Sequence, residues 1–239
     1  MLEKLITSMW EFFQIDVTES FDAYIEDLEN KRQVVKKESR YYLFQMYEDE
    51  QYICNAMCDI MNHDTKMSYK IEDYLISIEK EFGLSYNDEQ KKAMKEALTH
   101  SICLITGGPG TGKTTIINGL LRLYQHMNGL TDLQMNHAVA LLAPTGRASK
   151  RMSETTNYGA STIHRYLKWN HETREFGVNE YNPNEHSLII IDEISMVDNE
   201  LMANLLRGIK HDCKLVIVGD EHQLPSVGPG NILKDLISS

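Results

Sequence analysis

A glycine-rich segment at residues 107–114 is the feature that most constrains how this chain can fold. Its sequence, GGPGTGKT, fits the pattern G-x-x-x-x-G-K-[ST] at every position. A short apolar run at 102–106 precedes it, and a helical apolar pattern follows from Thr114. Because glycines adopt positive φ angles, consecutive backbone N–H groups can turn towards an anion at the positive end of a helix. The segment therefore predicts a strand, a phosphate-binding loop and a helix, in that order.

The loop residues have distinct expected roles in holding a nucleoside triphosphate and its Mg²⁺ ion. The Lys113 ammonium is expected to contact the β- and γ-phosphates, and the Thr114 hydroxyl is expected to ligate the metal. The alternative is a glycine-rich turn that binds nothing. The predicted nucleotide-binding residues of the loop are Gly108, Pro109, Gly110, Thr111, Gly112, Lys113, Thr114 and Thr115.

Two acidic residues, Asp192 and Glu193, directly follow the apolar run 188–191. A buried parallel strand brings the residues at its carboxyl end to the edge of the sheet where ligands gather. There Asp192 would hold Mg²⁺, directly or through water, and Glu193 would orient or deprotonate the attacking water. Taken alone, the same pattern is that of a strand with a polar cap.

A third apolar run, 215–218, ends in Gly219 and Asp220, with Gln223 three residues further on. This spacing would place the Gln223 amide at the γ-phosphate, where it can report hydrolysis to neighbouring loops. The alternative is an aspartate N-cap and a glutamine on the surface. The candidate catalytic residues are therefore Lys113, Asp192, Glu193 and Gln223.

Alternating strands and helices are predicted for residues 101–239. Short apolar runs bounded by turn or charged residues are typical of strands that are buried on both faces of a parallel sheet. Helical patterns lie between them, so a doubly wound α/β sheet is expected. A polar stretch at 169–186 is expected to leave the sheet. The predicted strands are 102–106, 138–143, 188–191 and 215–218, and the predicted helices are 114–126, 148–154 and 199–210.

Residues 1–82 are expected to form a small all-helical domain that precedes an α/β domain at 83–239. Apolar residues recur at three- and four-residue steps over 41–61 and 71–82, and Gly83 is expected to be a helix C-cap. A further helix is expected to follow an N-cap at residue 87 and to run to about residue 99. The first third of the chain is therefore predicted to contain helices and no strands.

The helical region also carries most of the net charge of the chain, which is −11 at pH 7. Residues 1–100 hold 21 acidic and 12 basic side chains, whereas residues 101–239 hold 14 and 12. The α/β domain is therefore nearly neutral. Any grip on nucleic acid is expected to come from a few placed donors and not from a basic field.

Composition argues against several classes of protein. No apolar run approaches the ~20 residues that span a bilayer, so no membrane association is expected. Residues 1–13 contain three charged side chains and lack a small-residue cleavage site, so no secretory signal is predicted. Four cysteines in 239 residues favour reduced thiols and a cytoplasmic protein. Cys54 and Cys58 are expected on the buried face of a helix.

Taken together, the motifs resemble those of superfamily 1 helicases, and more closely those of the RecD/TraA-type branch, which includes the exodeoxyribonuclease V alpha chain. The resemblance runs through residues 84–239 in the family's order and is loose before residue 81. The matching segments are 84–90 for the adenine-reading Q motif, 108–115 for motif I, 143–149 for motif Ia, 161–165 for the next DNA-contacting motif, 192–193 for motif II and 219–227 for motif III.

The resemblance implies a RecA-like P-loop NTPase sheet with helices on both faces, ATP and Mg²⁺ as cofactors, and Gln90 as the reader of the adenine base. A capping-box role for Gln90 is the alternative, since it lies three residues after Asn87. The resemblance also implies that single-stranded DNA binds at two strand ends. The implied DNA-binding residues are Thr145, Gly146, Arg147, Thr162 and His164.

The segment from Pro144 to Arg147 also suits a phosphodiester on chemical grounds, since it offers a hydroxyl, backbone N–H groups and a guanidinium. Two alternatives remain open here. Arg147 is equally explained as a solvated surface residue, and His164 as a helix-face histidine packed beneath the loop.

In the family, motif III is followed by a second RecA-like half, which these 239 residues do not contain. The resemblance therefore implies the first motor half of a helicase that runs 5′ to 3′ in the complete protein. By itself the chain is expected to bind Mg·ATP, to hydrolyse it poorly and to unwind nothing, with a possible protein partner at the N-terminal helices. The alternative is a non-catalytic nucleotide-binding adaptor that docks a partner through its acidic helical region.

Overall fold

The structure is a computed structural model, and it describes residues 18–38, 40–63 and 71–238. Residues 1–13, for which no secretory signal is predicted, lie outside this part of the chain. Among the described helices, none is both long enough and apolar enough to cross a bilayer. The cysteines are free thiols: Cys54, Cys58, Cys103 and Cys213.

Two compact units divide the chain, Met1–Gln51 and Tyr52–Ser239. The division falls inside the helix Phe44–Asn62, whereas the sequence places a domain boundary between residues 82 and 83. A compact unit is not the same as an independently folding domain, so the expected domain limits stay a prediction.

The first unit contains a helix and a hairpin. Helix α1 (Thr18–Asn30) is followed by the antiparallel strands β1 (Val34–Lys37) and β2 (Arg40–Leu43). Phe21 on the helix meets Tyr41 on the hairpin edge-on, with 6.5 Å between ring centroids. Only helices were predicted here, so the hairpin is a correction. Its β-branched and aromatic residues on both sides of a turn favour strands.

Helix α2 (Phe44–Asn62) begins three residues later than predicted and buries a different face. Met57 and Ile60 are buried in the core of the second unit, whereas Cys54 and Cys58 are exposed. The prediction of a buried thiol pair is therefore wrong. The helix carries apolar residues on two sides, and packing uses the side that contains Ile60.

The next two helices confirm the sequence prediction. Helix α3 (Ile71–Phe82) ends at Gly83, whose φ of +61° is the left-handed conformation of a C-cap. Helix α4 (Asp88–Thr99) follows Asn87, whose side chain accepts the Gln90 N–H at 2.8 Å, while the Gln90 side chain accepts the Asn87 N–H at 3.1 Å. This reciprocal pair of bonds is a capping box.

The strands of the second unit are β3 (Ile102–Thr106), β4 (Val139–Ala143), β5 (Ala160–Thr162), β6 (Trp169–Asn170), β7 (Glu175–Phe176), β8 (Leu188–Ile191) and β9 (Lys214–Gly219). Five of them form a parallel sheet in the order β3, β9, β8, β4, β5. The four predicted strands are confirmed, and β5 adds an edge. Strands β6 and β7 form a small antiparallel hairpin in the polar stretch expected to leave the sheet.

Helices cover both faces of this sheet. Along β9, Leu215 and Ile217 point into one core, and Val216 and Val218 point into the other. The first core also contains residues of α2, and the second contains residues of α3 and α4. This arrangement confirms the predicted RecA-like α/β fold. The remaining helices are α5 (Lys113–Asn128), α6 (Asp132–Ala138), α7 (Gly146–Thr156), α8 (Ile163–Tyr166), α9 (Asn199–Arg207) and α10 (Ile232–Ser238).

Candidate nucleotide and strand-binding site

The glycine-rich segment lies between β3 and α5, as the sequence predicts. Gly112 has a φ of +91° and directly precedes Lys113, the first residue of α5. A side chain at this position would be strained, so glycine lets the helix begin where the loop turns. The Lys113 ammonium donates hydrogen bonds to the carbonyl oxygens of Gly107 and Gly108, the second at 2.8 Å. The lysine is thus held inside its own loop.

A cavity of about 320 Å³ at the carboxyl edge of the sheet brings the predicted catalytic residues together. Lys113 comes from the start of α5, Asp192 and Glu193 follow β8, and Gln223 follows β9. Because β8 and β9 are parallel neighbours, their carboxyl ends meet at the same place. The cavity is lined by Pro109, Gly110, Thr111, Gly112, Lys113, Thr114, Arg151, Asp192, Glu193 and Gln223. Two other predicted loop residues, Gly108 and Thr115, are not part of this lining.

Burial raises the pKa of both carboxyl groups in the cavity. At Asp192, loss of solvation is opposed by the hydrogen bond that the Glu193 N–H donates to Asp192 Oδ1 at 2.9 Å, and by the positive charges of Arg151 and Lys113, so the net pKa shift is upwards. At Glu193, burial is again the first cause of the raised pKa, and the Asp192 carboxylate adds to it. A carboxylate with a raised pKa is a better proton acceptor near neutral pH.

Glu193 also has a backbone conformation that residues other than glycine rarely adopt, with φ of +56° and ψ of +41°. Such a conformation costs about 1–3 kcal/mol, and residues that adopt it cluster at active sites and ligand-binding segments. Its neighbours hold it in place: the Asp192 N–H donates to the Leu142 carbonyl at 2.9 Å, and Ile194 is fully buried. The backbone conformation of Glu193 therefore helps to place its side chain in the lining of the cavity.

Ser195 is a site residue that sequence reasoning missed. It is buried, and its hydroxyl donates to Gln223 Oε1 at 3.2 Å. The bond joins the segment after β8 to the segment after β9. Since the amide oxygen is engaged by Ser195, the amide nitrogen is the group left for a ligand. The only sequence signal was a serine two residues after the acidic pair, and no spacing rule connects it to a glutamine 28 residues later.

Gln90 completes the capping box and also lies against the phosphate loop. A Cβ atom added to Gly112 would stand 2.6 Å from Gln90 Nε2. Oε1 serves the cap while Nε2 faces the loop, so the capping box is confirmed and the reading of adenine by Gln90 stays a prediction. A second cavity, of about 450 Å³, is lined in part by Gln90, Thr111 and Lys113.

The predicted Mg²⁺ ligands, Thr114 and Asp192, line the same cavity. A hydroxyl and a carboxylate are hard oxygen donors of the kind that Mg²⁺ prefers, with water and phosphate oxygens as its other ligands. Asp192 uses Oδ1 for the Glu193 N–H, which leaves Oδ2 for such an ion. The two side chains therefore fit Mg²⁺. In the part of the chain that the structure describes, no group of three or more His, Cys, Asp or Glu side chains forms a separate metal site.

The predicted strand-binding residues lie at the ends of β4 and β5, where Ala143 is paired with Thr162. Thr145 is the N-cap of α7, and its hydroxyl oxygen accepts the Ala148 N–H at 3.2 Å. Thr162 is the N-cap of α8, and its hydroxyl oxygen accepts the Arg165 N–H at 3.2 Å. Each hydroxyl keeps its proton to donate, beside backbone N–H groups at a helix start.

Gly146 and Arg147 are exposed in the first turn of α7. His164 is also exposed, and its ring lies 5.9 Å from the ring of Phe176 and 6.2 Å from that of Trp169. Exposure suits both DNA binding and a solvated surface for Arg147. The aromatic neighbours give His164 a packing partner as well as an open face, so both of its roles remain predictions.

Arg151 is a second site residue that sequence reasoning missed. It lies on α7, one turn after Arg147, and it lines the cavity that holds Asp192 and Glu193. The available signal was its spacing, because residues four apart share a face of a helix. Arg151 lies two residues beyond the segment 143–149 that matches motif Ia.

A parallel sheet with a phosphate loop after one strand and an acidic pair after another defines a RecA-like P-loop NTPase. The family model described as "AAA domain" matches residues 90–229, more than half of the chain, and the chain belongs to that family.

Relatives of the chain include RecD subunits of RecBCD enzymes and an ATP-dependent RecD2 DNA helicase. The chain is 33% identical over 213 residues to the RecBCD enzyme subunit RecD of Mycolicibacterium smegmatis, covering 82% of this chain and 37% of the relative. It is 35% identical over 159 residues to the ATP-dependent RecD2 DNA helicase of Deinococcus radiodurans, covering 66% of this chain and 21% of the relative. These relatives confirm the predicted resemblance to RecD-type helicases. The Pif1 helicase of Candida albicans, a solved structure, has 25% identity and a TM-score of 0.41, over 61% of this chain and 34% of that chain.

Proposed function

We propose that this chain is the ATP-binding first motor domain of a RecD-like ATP-dependent DNA helicase. The observation that carries the proposal is the convergence of Lys113, Thr114, Asp192, Glu193 and Gln223 on one cavity. Their side chains are the cation, the metal ligands, the proton acceptor and the amide that phosphoryl transfer to water requires. The AAA-domain family and the RecD-named relatives support the same function.

ATP binding begins with Lys113, which leaves the carbonyls of its loop and contacts the β- and γ-phosphates. Thr114 and Asp192 would hold Mg²⁺, which when bound would neutralise charge on the phosphate oxygens. Glu193 takes a proton from a water molecule while the oxygen of that water bonds to the γ-phosphorus. The bond between the γ-phosphorus and the oxygen that bridges it to the β-phosphate breaks, and ADP leaves. Gln223 contacts the γ-phosphate through its amide nitrogen. When hydrolysis removes this phosphate, Gln223 loses the contact, and the hydrogen bond from Ser195 to Gln223 connects that change to the segment after β8. Gln90, whose amide nitrogen faces the loop, contacts the adenine base.

Single-stranded DNA binds across the ends of β4 and β5 in this proposal. The hydroxyls of Thr145 and Thr162 donate to its phosphates, Gly146 and Arg147 add backbone and guanidinium donors, and His164 lies beside them. The direction of movement in the complete protein, 5′ to 3′, rests on the resemblance to the RecD-type branch.

Hydrolysis by the chain alone is expected to be slow. Every described residue that lines the cavity belongs to the one sheet domain. In related phosphoryl-transfer enzymes, an arginine supplied from a second domain or a partner raises the rate by about 10³–10⁵. The cytoplasmic location and a protein partner at the N-terminal helices are proposed on the sequence alone.

Two binding measurements test the proposal: titration with a fluorescent Mg·ATP analogue, and titration with a labelled single-stranded oligonucleotide in the presence and absence of the analogue. We expect the wild-type chain to bind both, Lys113→Ala to lose the nucleotide, and Arg147→Ala to lose only the DNA. A wild-type chain that binds no nucleotide contradicts the proposal. A chain that binds nucleotide and never DNA is instead the nucleotide-binding adaptor.

A further inference from the structure

Arg151 belongs to none of the matched motifs, yet it lines the nucleotide cavity together with the candidate catalytic residues. It belongs to α7 and lines the cavity together with Asp192, Glu193 and Gln223. The other cation in that lining is Lys113, at the start of α5. A phosphate placed between the lysine and the acidic pair would therefore have Arg151 among its neighbours.

The guanidinium of Arg151 has no partner among the described residues. The adjacent Lys150, on the same helix, lies 3.9 Å from Glu154, so its charge is directed along the helix surface. Arg151 makes neither an ion pair nor a hydrogen bond with a described side chain, and it is exposed. A planar guanidinium with all its donors unused is suited to bind a phosphate through two parallel hydrogen bonds.

The charge of Arg151 already acts on both carboxylates. It lowers the pKa of Asp192 and of Glu193, against the upward effect of their burial on each pKa. A γ-phosphate brought beside two carboxylates meets strong repulsion unless a cation offsets it. A bound Mg²⁺ would offset part of that charge at Asp192, and Arg151 is the cation that acts on Glu193.

We propose that Arg151 binds the γ-phosphate of ATP, so that the chain distinguishes triphosphate from diphosphate by itself. The inference rests on the proposed ATP site and adds a residue to it. Arg151 contributes little to the binding of ADP, because its partner is the phosphate that ADP lacks. Lys113, which contacts the β-phosphate as well, contributes to the binding of both nucleotides.

The test compares the affinities of the full chain for Mg·ADP and for a non-hydrolysable Mg·ATP analogue, measured by calorimetry. For Arg151→Ala we expect a loss of about tenfold or more in affinity for the triphosphate, the effect of one hydrogen bond between charged groups. Affinity for ADP should change by less than about twofold. Arg151→Lys keeps the charge and loses the two-pronged geometry, so it should retain part of the triphosphate affinity.

Lys150→Ala is the matched control, because it removes the neighbouring cation of the same helix, and it should change neither affinity. Equal losses for both nucleotides in Arg151→Ala, or no loss for either, would overturn the proposal. Thermal unfolding of the variant shows whether an equal loss comes from damage to the fold. If the wild-type chain binds neither nucleotide, the proposed ATP site itself is wrong. If the wild-type chain binds both and Arg151→Ala binds them equally well, the ATP site stands and only the role of Arg151 is wrong.

Discussion

The hydroxyl of Ser195 donates a hydrogen bond to the side-chain oxygen of Gln223 at 3.2 Å. This bond connects the residue two positions after Glu193 with the residue expected to contact the γ-phosphate. It also decides which end of the amide is available, since the oxygen is occupied and the nitrogen is left free. The acidic pair and the sensor are thus mechanically linked before any nucleotide is bound.

Ser195→Ala should lower kcat for ATP hydrolysis by about tenfold, because Gln223 loses the bond that orients it and ~1.4 kcal/mol corresponds to a factor of ten. KM should stay nearly constant, since Ser195 does not line the cavity. Steady-state kinetics give both values. If Ser195 acts through Gln223, the double variant Ser195→Ala/Gln223→Ala should be no slower than Gln223→Ala alone. Fully additive losses would show that the two residues act independently.

Glu193 should combine a catalytic role with a cost in stability. Glu193→Gln removes the proton acceptor and keeps the strained backbone, so hydrolysis should fall by about 10²-fold or more. It also removes a carboxyl group whose pKa burial raises, so it should stabilise the chain at pH 7, as Asp192→Asn does. Glu193→Gly in addition relieves the φ of +56°, and its free energy of unfolding should exceed that of Glu193→Gln by about 1 kcal/mol. Urea denaturation measures this gain.

The control for this strain is Asn157→Gly, at a residue whose φ is +59° and which lies outside the nucleotide cavity. It should gain stability, since glycine suits its backbone, without losing hydrolysis. A Glu193→Gly variant no more stable than Glu193→Gln would mean that the backbone at Glu193 stores no strain.

The raised pKa of Asp192 leads us to expect that the stability of the chain depends on pH in a specific way. Burial raises the pKa of this group in the folded state above its unfolded value, so the folded chain binds the proton more tightly. The contribution of Asp192 to the stability of the chain therefore falls as pH rises from the unfolded pKa through the folded pKa. Asp192→Asn removes this loss. It should stabilise the chain at pH 7, with a smaller gain near the unfolded pKa of about 3.9. Urea denaturation at several pH values measures the difference, and a gain that is independent of pH would contradict it.

Gln90 and Gln134 form matched capping boxes, at α4 and α6, but only Gln90 lies against the phosphate loop. Gln90→Ala and Gln134→Ala should each destabilise the chain by about 0.5–1 kcal/mol through loss of the cap. Only Gln90→Ala should reduce the preference for ATP over GTP, because only Gln90 is proposed to contact the base. Competition titrations with the two nucleotides measure the preference. An equal change in both variants would restrict Gln90 to its structural role.

Features whose cause is local could be predicted from the sequence. The strand, loop and helix around Gly112 follow from a conformation that glycine alone adopts easily, and the start of α4 follows from the pairing of Asn87 with Gln90. The strands of the sheet are short apolar runs because both of their faces are buried, and this too can be recognised residue by residue. Placing Asp192 and Lys113 together needed only the rule that parallel strands end at one edge.

Features decided by distant contacts could not be predicted in this way. The bond between Ser195 and Gln223 spans 28 residues, and the approach of Arg151 to the acidic pair depends on how α7 packs against β4 and β5. Neither relation leaves a periodic pattern in the sequence.

The second half of α2 shows most clearly the difference between features with a local cause and features decided by distant contacts. The sequence by itself determined that this segment is an apolar helix, because spacing at three and four residues is a local property. Only the tertiary structure decided that Met57 and Ile60 are buried while Cys54 and Cys58 remain exposed. The physical reason is that hydrophobic burial has no direction of its own: which stripe leaves water depends on the surface that the rest of the chain presents to it.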